Sequence, residues 1–137
     1  VFKFSEKIVK DAMIPLDNMV GINVDDNVHN VLKLAAEEGF TRMPAYKGDK
    51  KNIIGIIHTK ELINIWINKK LFILTDLLRD TYFINENKKI SDLLAEFKNK
   101  KIHMAIAKNN NGQVTGLITL EDVLEEIVGE IKDEYDI

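Results

Sequence analysis

The chain has 137 residues, 45% hydrophobic and 30% charged, and its 19 Lys and Arg against 22 Asp and Glu leave a net charge of -3. That length buries the core of one domain, or of two small halves, without covalent staples, and the composition excludes disordered, collagenous and low-complexity chains. The absence of cysteine removes disulfides, thiolate zinc sites and a cysteine nucleophile together, and the negative balance offers no general attraction to nucleic acid.

In chain order, Phe2 to Asp11 reads as a lead-in and Met19 to Val24 as a short apolar strand. Val28, Val31, Leu32 and Ala35 then recur at helical spacing, with Asp and Asn before them as caps and Gly39 after them as a stop. Met43 to Tyr46 and Ile53 to Ile57 read as strands joined by a polar hairpin loop, Lys47 to Asn52. A helix carrying Leu62, Ile63 and Trp66 closes this half, and Lys69 to Arg79 bridges to the next. The order then repeats: a strand at Tyr82 to Ile84, then a helix on Ile90, Leu93, Leu94 and Phe97. Strands follow at His103 to Ala107 and Val114 to Ile118 around a loop containing Asn109-Asn-Asn-Gly112, with a last helix on Leu120, Val123, Leu124, Ile127 and Val128.

The chain aligns on itself at a shift of roughly 60 residues, longer than solenoid periods and used only twice. Arg42-Met falls on His103-Met, Ile54-Gly on Thr115-Gly and, one residue further on, Val28, Val31 and Leu32 fall on Ile90, Leu93 and Leu94. The pattern predicts an α+β fold of two pseudo-symmetric β-α-β-β-α repeats packed sheet to sheet, since one three-stranded sheet exposes more apolar face than its own helices cover. The expected division is 8–68 for the first repeat, 69–80 for the bridge, 81–130 for the second repeat and 131–137 for an acidic tail.

Gly116-Leu-Ile-Thr119-Leu-Glu-Asp122 ends a strand and opens a helix, where free backbone amides point outward. A hydroxyl followed three residues later by a carboxylate suits a nucleotide, the carboxylate accepting from ribose hydroxyls and the Thr hydroxyl and amides meeting phosphate. The same pattern is also a helix cap, its commoner origin. In the first repeat His58 and Glu61 stand at these positions, so one good pocket is expected, not two. Arg42 and His103 begin equivalent strands. A guanidinium on an apolar strand calls for a ligand anion or an internal ion pair, and a strand-end histidine is commonly a satisfied residue without a ligand role.

The three histidines, His29, His58 and His103, lack metal-ligand spacing. The acidic run from Glu121 to Asp136 attracts Mg²⁺ or, more commonly, forms a solvated helix face. Ser5 and Ser91 sit in no nucleophile elbow, and neither a P-loop nor a Gly-x-Gly-x-x-Gly fingerprint is present, so binding without catalysis is expected. The longest apolar runs, such as Ile53 to Ile57, fall far short of the ~20 residues of a membrane span. A start at Val1 without Met or a signal-type stretch reads as a piece of a longer protein.

Asp11-Ala-Met-Ile-Pro15, Gly39-Phe-Thr-Arg-Met-Pro44, His103-Met-Ala-Ile106 and Thr119-Leu-Glu-Asp-Val-Leu-Glu-Glu-Ile-Val-Gly-Glu-Ile-Lys-Asp-Glu-Tyr-Asp136 together resemble a tandem pair of CBS domains of the CorC/HlyC hemolysin-like family, relatives of the cyclin-M magnesium transporters. The resemblance runs from about Ile8 to Asp136. It implies a regulatory module on the cytoplasmic side of the membrane, joined to a membrane domain of the same parent chain and controlling magnesium or cobalt efflux, with no catalysis and no nucleic-acid partner. The implied ligand is an adenine nucleotide, AMP, or ATP with Mg²⁺. Carried over by position, Asp122 would hold ribose, Thr119 and Arg42 would meet phosphate, Phe40 would lie against base or sugar, and His103 would stand beside them. Ile14 departs from the family's Met-Thr-Pro, which supplies a hydroxyl near the ligand. The resemblance also implies homodimerisation through the helices that follow Glu61 and Glu121. The alternative is a ligand-free dimerisation module of the same parent protein, toward which Ile14, His58 and Glu61 all lean.

Overall fold

Turn residues and helical periodicity act twice along this chain, and the computed structural model, which describes residues 7–68 and 71–135, shows the product twice. The elements are α1 (Val9–Ala12), β1 (Ile14–Pro15), β2 (Ile22–Asn23), α2 (Val28–Glu38), β3 (Arg42–Tyr46), β4 (Ile53–His58), α3 (Thr59–Ile67), β5 (Phe83–Asn85), α4 (Ile90–Lys100), β6 (Met104–Lys108), β7 (Val114–Thr119) and α5 (Leu120–Tyr135). The β-α-β-β-α order expected for each repeat is present as β2 to α3 and as β5 to α5. Residues 2–6 of the lead-in, with Ser5 among them, Lys69 and Lys70 of the bridge and Asp136 lie outside the described residues, as do the side chains of the acidic tail from Asp133 on.

The local signals work as their chemistry requires. The Asn27 side chain accepts from the His29 amide at 2.7 Å and starts α2, and Gly39, at φ 67°, ends it in the left-handed conformation that glycine adopts without steric cost. The matching stop after α4 is Lys101, at φ 55°, where a Cβ makes the same conformation cost about 1 kcal/mol. Lys101→Gly is therefore expected to stabilise the protein by roughly 1 kcal/mol, read as a rise in the denaturation midpoint at unchanged m. An unchanged or lower midpoint would contradict it.

The predicted strand from Met19 to Val24 is shorter in the structure. Only Ile22 and Asn23 pair, in parallel with Ala45 and Tyr46, because β2 is an edge strand with a neighbour on one side only. The sheets run β2-β3-β4 and β1-β7-β6-β5. Within each, the long pair is an antiparallel hairpin, β3 with β4 and β6 with β7.

The chain forms two compact units that exchange segments of the sequence: Val20 to Thr81 is one, and the stretch up to Met19 together with the chain from Tyr82 onward is the other. In the second unit, α1 and β1 attach to the second repeat. The Val9 and Lys10 amides donate to the carbonyls of Lys88 and Glu86 at 2.8 Å each, and Ile14 and Pro15 pair antiparallel with Leu117 and Gly116. In the first unit, Arg79 pairs in the same sense with Ile56. Each attached segment opens alike, an isoleucine amide donating to an aspartate three residues on, Ile8 to Asp11 at 3.1 Å and Ile73 to Asp76 at 3.2 Å.

Each unit has its own apolar core. Ile22, Val31, Met43, Ile57 and Leu62 lie at the centre of one, and Val9, Leu93, Phe97, Ile118 and Val123 at the centre of the other. Tyr82 and Lys88 both donate to the Glu96 carboxylate, at 2.6–2.7 Å, and tie α4 to the strand before it. Burial acts to raise the Glu96 carboxyl, but these hydrogen bonds outweigh it and hold the group below its ordinary value.

Candidate functional site

Strand β7 lies between β1 and β6 and turns directly into α5, so the strand that leads into this junction is paired on both sides, to β1 at Gly116 and Leu117 and to β6 as far as Thr119. Thr119 pairs with Met104, and the Leu120 amide donates to the His103 carbonyl at 2.9 Å. Across the junction the Asp122 amide donates to Thr119 Oγ1 at 3.2 Å, and the Thr119 amide donates to Asp122 Oδ2 at 3.0 Å. This is a reciprocal cap, so the commoner reading of the Thr-x-x-Asp pattern is realised. The cap uses Oδ2 and leaves Asp122 Oδ1 with no hydrogen bond among the described residues.

The junction therefore presents, at the start of a 16-residue helix, the Thr119 hydroxyl beside a half-buried Asp122 with one carboxylate oxygen outside the cap, the Leu120 and Asp122 amides being already engaged, a set suited to vicinal hydroxyls and an anion. Ile14 belongs to the same place: half-buried, it stands on β1 opposite Leu117, two residues before Thr119. His103 has an exposed side chain and contributes its carbonyl to the junction. The structure thus brings Thr119, Asp122, Ile14 and the His103 backbone together.

Phe40 and Arg42 belong to the other unit, where β4 turns into α3. Arg42 lies opposite His58 in the β3–β4 register. Phe40 is 46% exposed, and its carbonyl accepts from the buried Thr59 hydroxyl at 2.7 Å, a contact the sequence reading missed. Of the two roles open to Arg42, an internal ion pair is absent among the described residues, where its side-chain hydrogen bond is Nη1 to Thr41 Oγ1 at 3.5 Å. The acid beside it, Glu61, pairs with Arg79 at 2.6 Å. No side chain caps α3, and His58 stands at its N-cap without a capping bond.

Arg79 also escaped the sequence reading. Its segment is offset from its counterpart by a few residues relative to the main repeat, and the detectable signal was the isoleucine–aspartate spacing shared by Ile8 with Asp11 and Ile73 with Asp76.

Burial holds the His58 imidazole below its ordinary value of 6.5, helped by Arg79 and then Arg42 and opposed by Glu61. The unfolded chain then takes up this proton at higher pH than the folded one. The His58 contribution is present above pH 6.5 and is lost as pH falls through and below it. Denaturation at pH 7.5 and pH 5.5 is expected to show a loss of stability on acidification that is smaller in His58→Gln. An identical loss in both proteins would remove His58 as its source.

Among the described residues, no group of three or more His, Cys, Asp or Glu is placed to hold a metal ion, and no helix is long and apolar enough to cross a membrane.

A family model described as CBS domain matches residues 9–68 and 74–129. The magnesium and cobalt efflux protein CorC of Pasteurella multocida is 37% identical over 137 residues, covering 99% of this chain and 46% of that protein. The chain spans less than half the length of the curated relatives it matches. Among solved structures, the CBS domain of the bacterial CNNM/CorC family Mg²⁺ transporter in complex with ATP superposes with a TM-score of 0.84 at 34% identity, over 91% of this chain and 89% of that one. A CBS-domain pair with bound AMP from Klebsiella pneumoniae gives a TM-score of 0.81 at 27% identity, over 90% and 100% of the two chains.

Proposed function

We propose, for a chain that belongs to the CBS-domain family as a tandem pair of the CorC/CNNM kind, that it binds an adenine nucleotide without turning it over and regulates a membrane-bound magnesium or cobalt efflux protein of which it is the cytoplasmic module. The observation that carries this reading is the β7–α5 junction, where Asp122 keeps one carboxylate oxygen outside the cap while the Thr119 hydroxyl stands beside it at the start of the helix.

In the proposed complex, Asp122 Oδ1 accepts from the ribose hydroxyls, and the Thr119 hydroxyl at the positive end of α5 meets phosphate. Arg42 and Phe40 are assigned phosphate and base contacts, and His103 a place beside them. ATP and AMP bound by relatives support the ligand class. ATP would carry its Mg²⁺ on its own phosphates, which suits a chain whose described residues offer no metal cluster. Nucleotide binding would act on the parent by favouring one arrangement of the module over another.

The proposed assembly is a homodimer through α3 and α5, which expose Ile63, Trp66 and Ile67, and Leu124 and Val128. Those faces, together with a cap that already satisfies part of Thr119 and Asp122, favour the second reading, a ligand-free dimerisation module. Calorimetric titration with AMP, ATP and Mg-ATP separates the two. Saturable binding supports the sensor, and no heat at millimolar nucleotide from a folded dimer supports the assembly module.

A further inference from the structure

We infer that the first repeat's counterpart of the Thr119–Asp122 site is closed by the chain itself, the Arg79 guanidinium occupying Glu61, and that this pair limits the chain to one nucleotide. The inference rests on the reading of Thr119 and Asp122 as a nucleotide site and names what keeps its twin shut.

The two junctions match element by element. Gly55 and Ile56 stand where Gly116 and Leu117 stand, His58 replaces Thr119, and Glu61 replaces Asp122. The attached segments match as well: Ile14 pairs with Leu117, and Arg79 pairs with Ile56. Arg79 is fixed there by hydrogen bonds in both directions with Ile56, at 2.8 and 2.9 Å. A guanidinium therefore projects from the position that carries an apolar side chain in the other unit.

The consequence lies in what each acid can offer. Asp122 is short, caps its own helix and keeps Oδ1 outside the cap. Glu61 has one more methylene, makes no cap, and places Oε2 2.6 Å from Arg79 Nη2. A ribose hydroxyl arriving at Glu61 meets a carboxylate already neutralised through Oε2 by a guanidinium, so it gains less there than at Asp122, whose partner is a neutral backbone amide. His58 adds no hydroxyl in the place of Thr119. The Arg79 and Glu61 side chains remain 55% and 36% exposed, and an ion pair so open to water adds little to the fold. Its removal leaves the protein folded while freeing the acid.

The test exchanges the three residues for those of the other repeat: His58→Thr, Glu61→Asp and Arg79→Ile together. Calorimetry with AMP reads the number of sites per chain, in the native background and with Asp122→Ala. The expected result is one site rising to two, and in the Asp122→Ala background none rising to one. Arg79→Lys, which keeps a cation at Glu61, should leave the native count at one.

A folded triple variant with no added site overturns the inference while leaving the Thr119–Asp122 reading intact, and two sites in the unaltered protein overturn it equally. If the unaltered protein binds nothing, the Thr119–Asp122 reading fails separately, and the triple variant still decides: one new site supports closure and none removes it. Should the triple variant melt early, Glu61→Asp with Arg79→Ile carries the same comparison.

Discussion

Gly116→Ala is expected to destabilise the protein by about 3 kcal/mol, the upper part of the range for forcing one methyl group into a filled space. A Cβ at Gly116 would lie 2.5 Å from the Ile14 carbonyl oxygen and 2.7 Å from Met13 Sδ. The methionine can turn away, but the oxygen belongs to backbone paired with β7. Relief therefore requires β1 to lift from the sheet. Gly55→Ala meets Leu78 Cδ2 at 2.8 Å and the Arg79 oxygen at 3.0 Å, and since the nearer atom ends a flexible side chain the expected loss is smaller, about 1–2 kcal/mol.

Gly129, inside α5 with nothing within 4 Å of its would-be Cβ, supplies the control of opposite sign. Gly129→Ala should stabilise by about 0.5–1 kcal/mol through helix propensity alone. Chemical denaturation measures all three, and hydrogen exchange of residues 9–15 should rise only in Gly116→Ala. A loss under about 1 kcal/mol with unchanged exchange would mean that β1 is not seated against Gly116.

Asp122→Ala is expected to weaken nucleotide binding by about 100-fold or more, the loss of charge-assisted hydrogen bonds to two hydroxyls. It should also cost about 1 kcal/mol of stability, because the same carboxylate accepts from the Thr119 amide. Thr119→Ala separates these effects. It removes the other half of the reciprocal cap, so its stability loss should be similar, while the carboxylate remains and affinity falls only about tenfold. If affinity instead falls equally in the two variants, in step with stability, the carboxylate acts through the cap and not on ribose. Calorimetric titration beside a denaturation curve for each variant reads both quantities.

Much of the fold was legible because its signals are local. Val28, Val31 and Ala35 repeat at helical spacing between Asn27 and Gly39, and α2 runs Val28–Glu38 between a side-chain cap and a left-handed glycine. The hairpins follow from apolar strands around turns at Gly48 and Gly112, both at positive φ. The Thr119–Asp122 pair was legible for the same reason, since a cap and a nucleotide site both need a hydroxyl and an acid within one helical turn. What such a pattern leaves undecided is which atoms the cap consumes, and the geometry answers that with Oδ2 engaged and Oδ1 outside the cap.

The amino-acid sequence by itself determined the two repeats, the order of their elements and the position of the helix start at Thr119, because periodicity, caps and turns act over a few residues. Tertiary structure alone decided where the short segments around Ile14 and Arg79 attach. A strand of two residues carries no periodicity, and its place is selected by a sheet edge with a glycine that lets backbone approach. The same attachment brings Arg79 to Glu61, a pair 18 residues apart in the chain, and puts Ile14 beside β7. Charges so separated meet only when the backbone segments align, so the contrast between an acid paired with a guanidinium in one unit and an acid held by a backbone amide in the other became visible only in three dimensions.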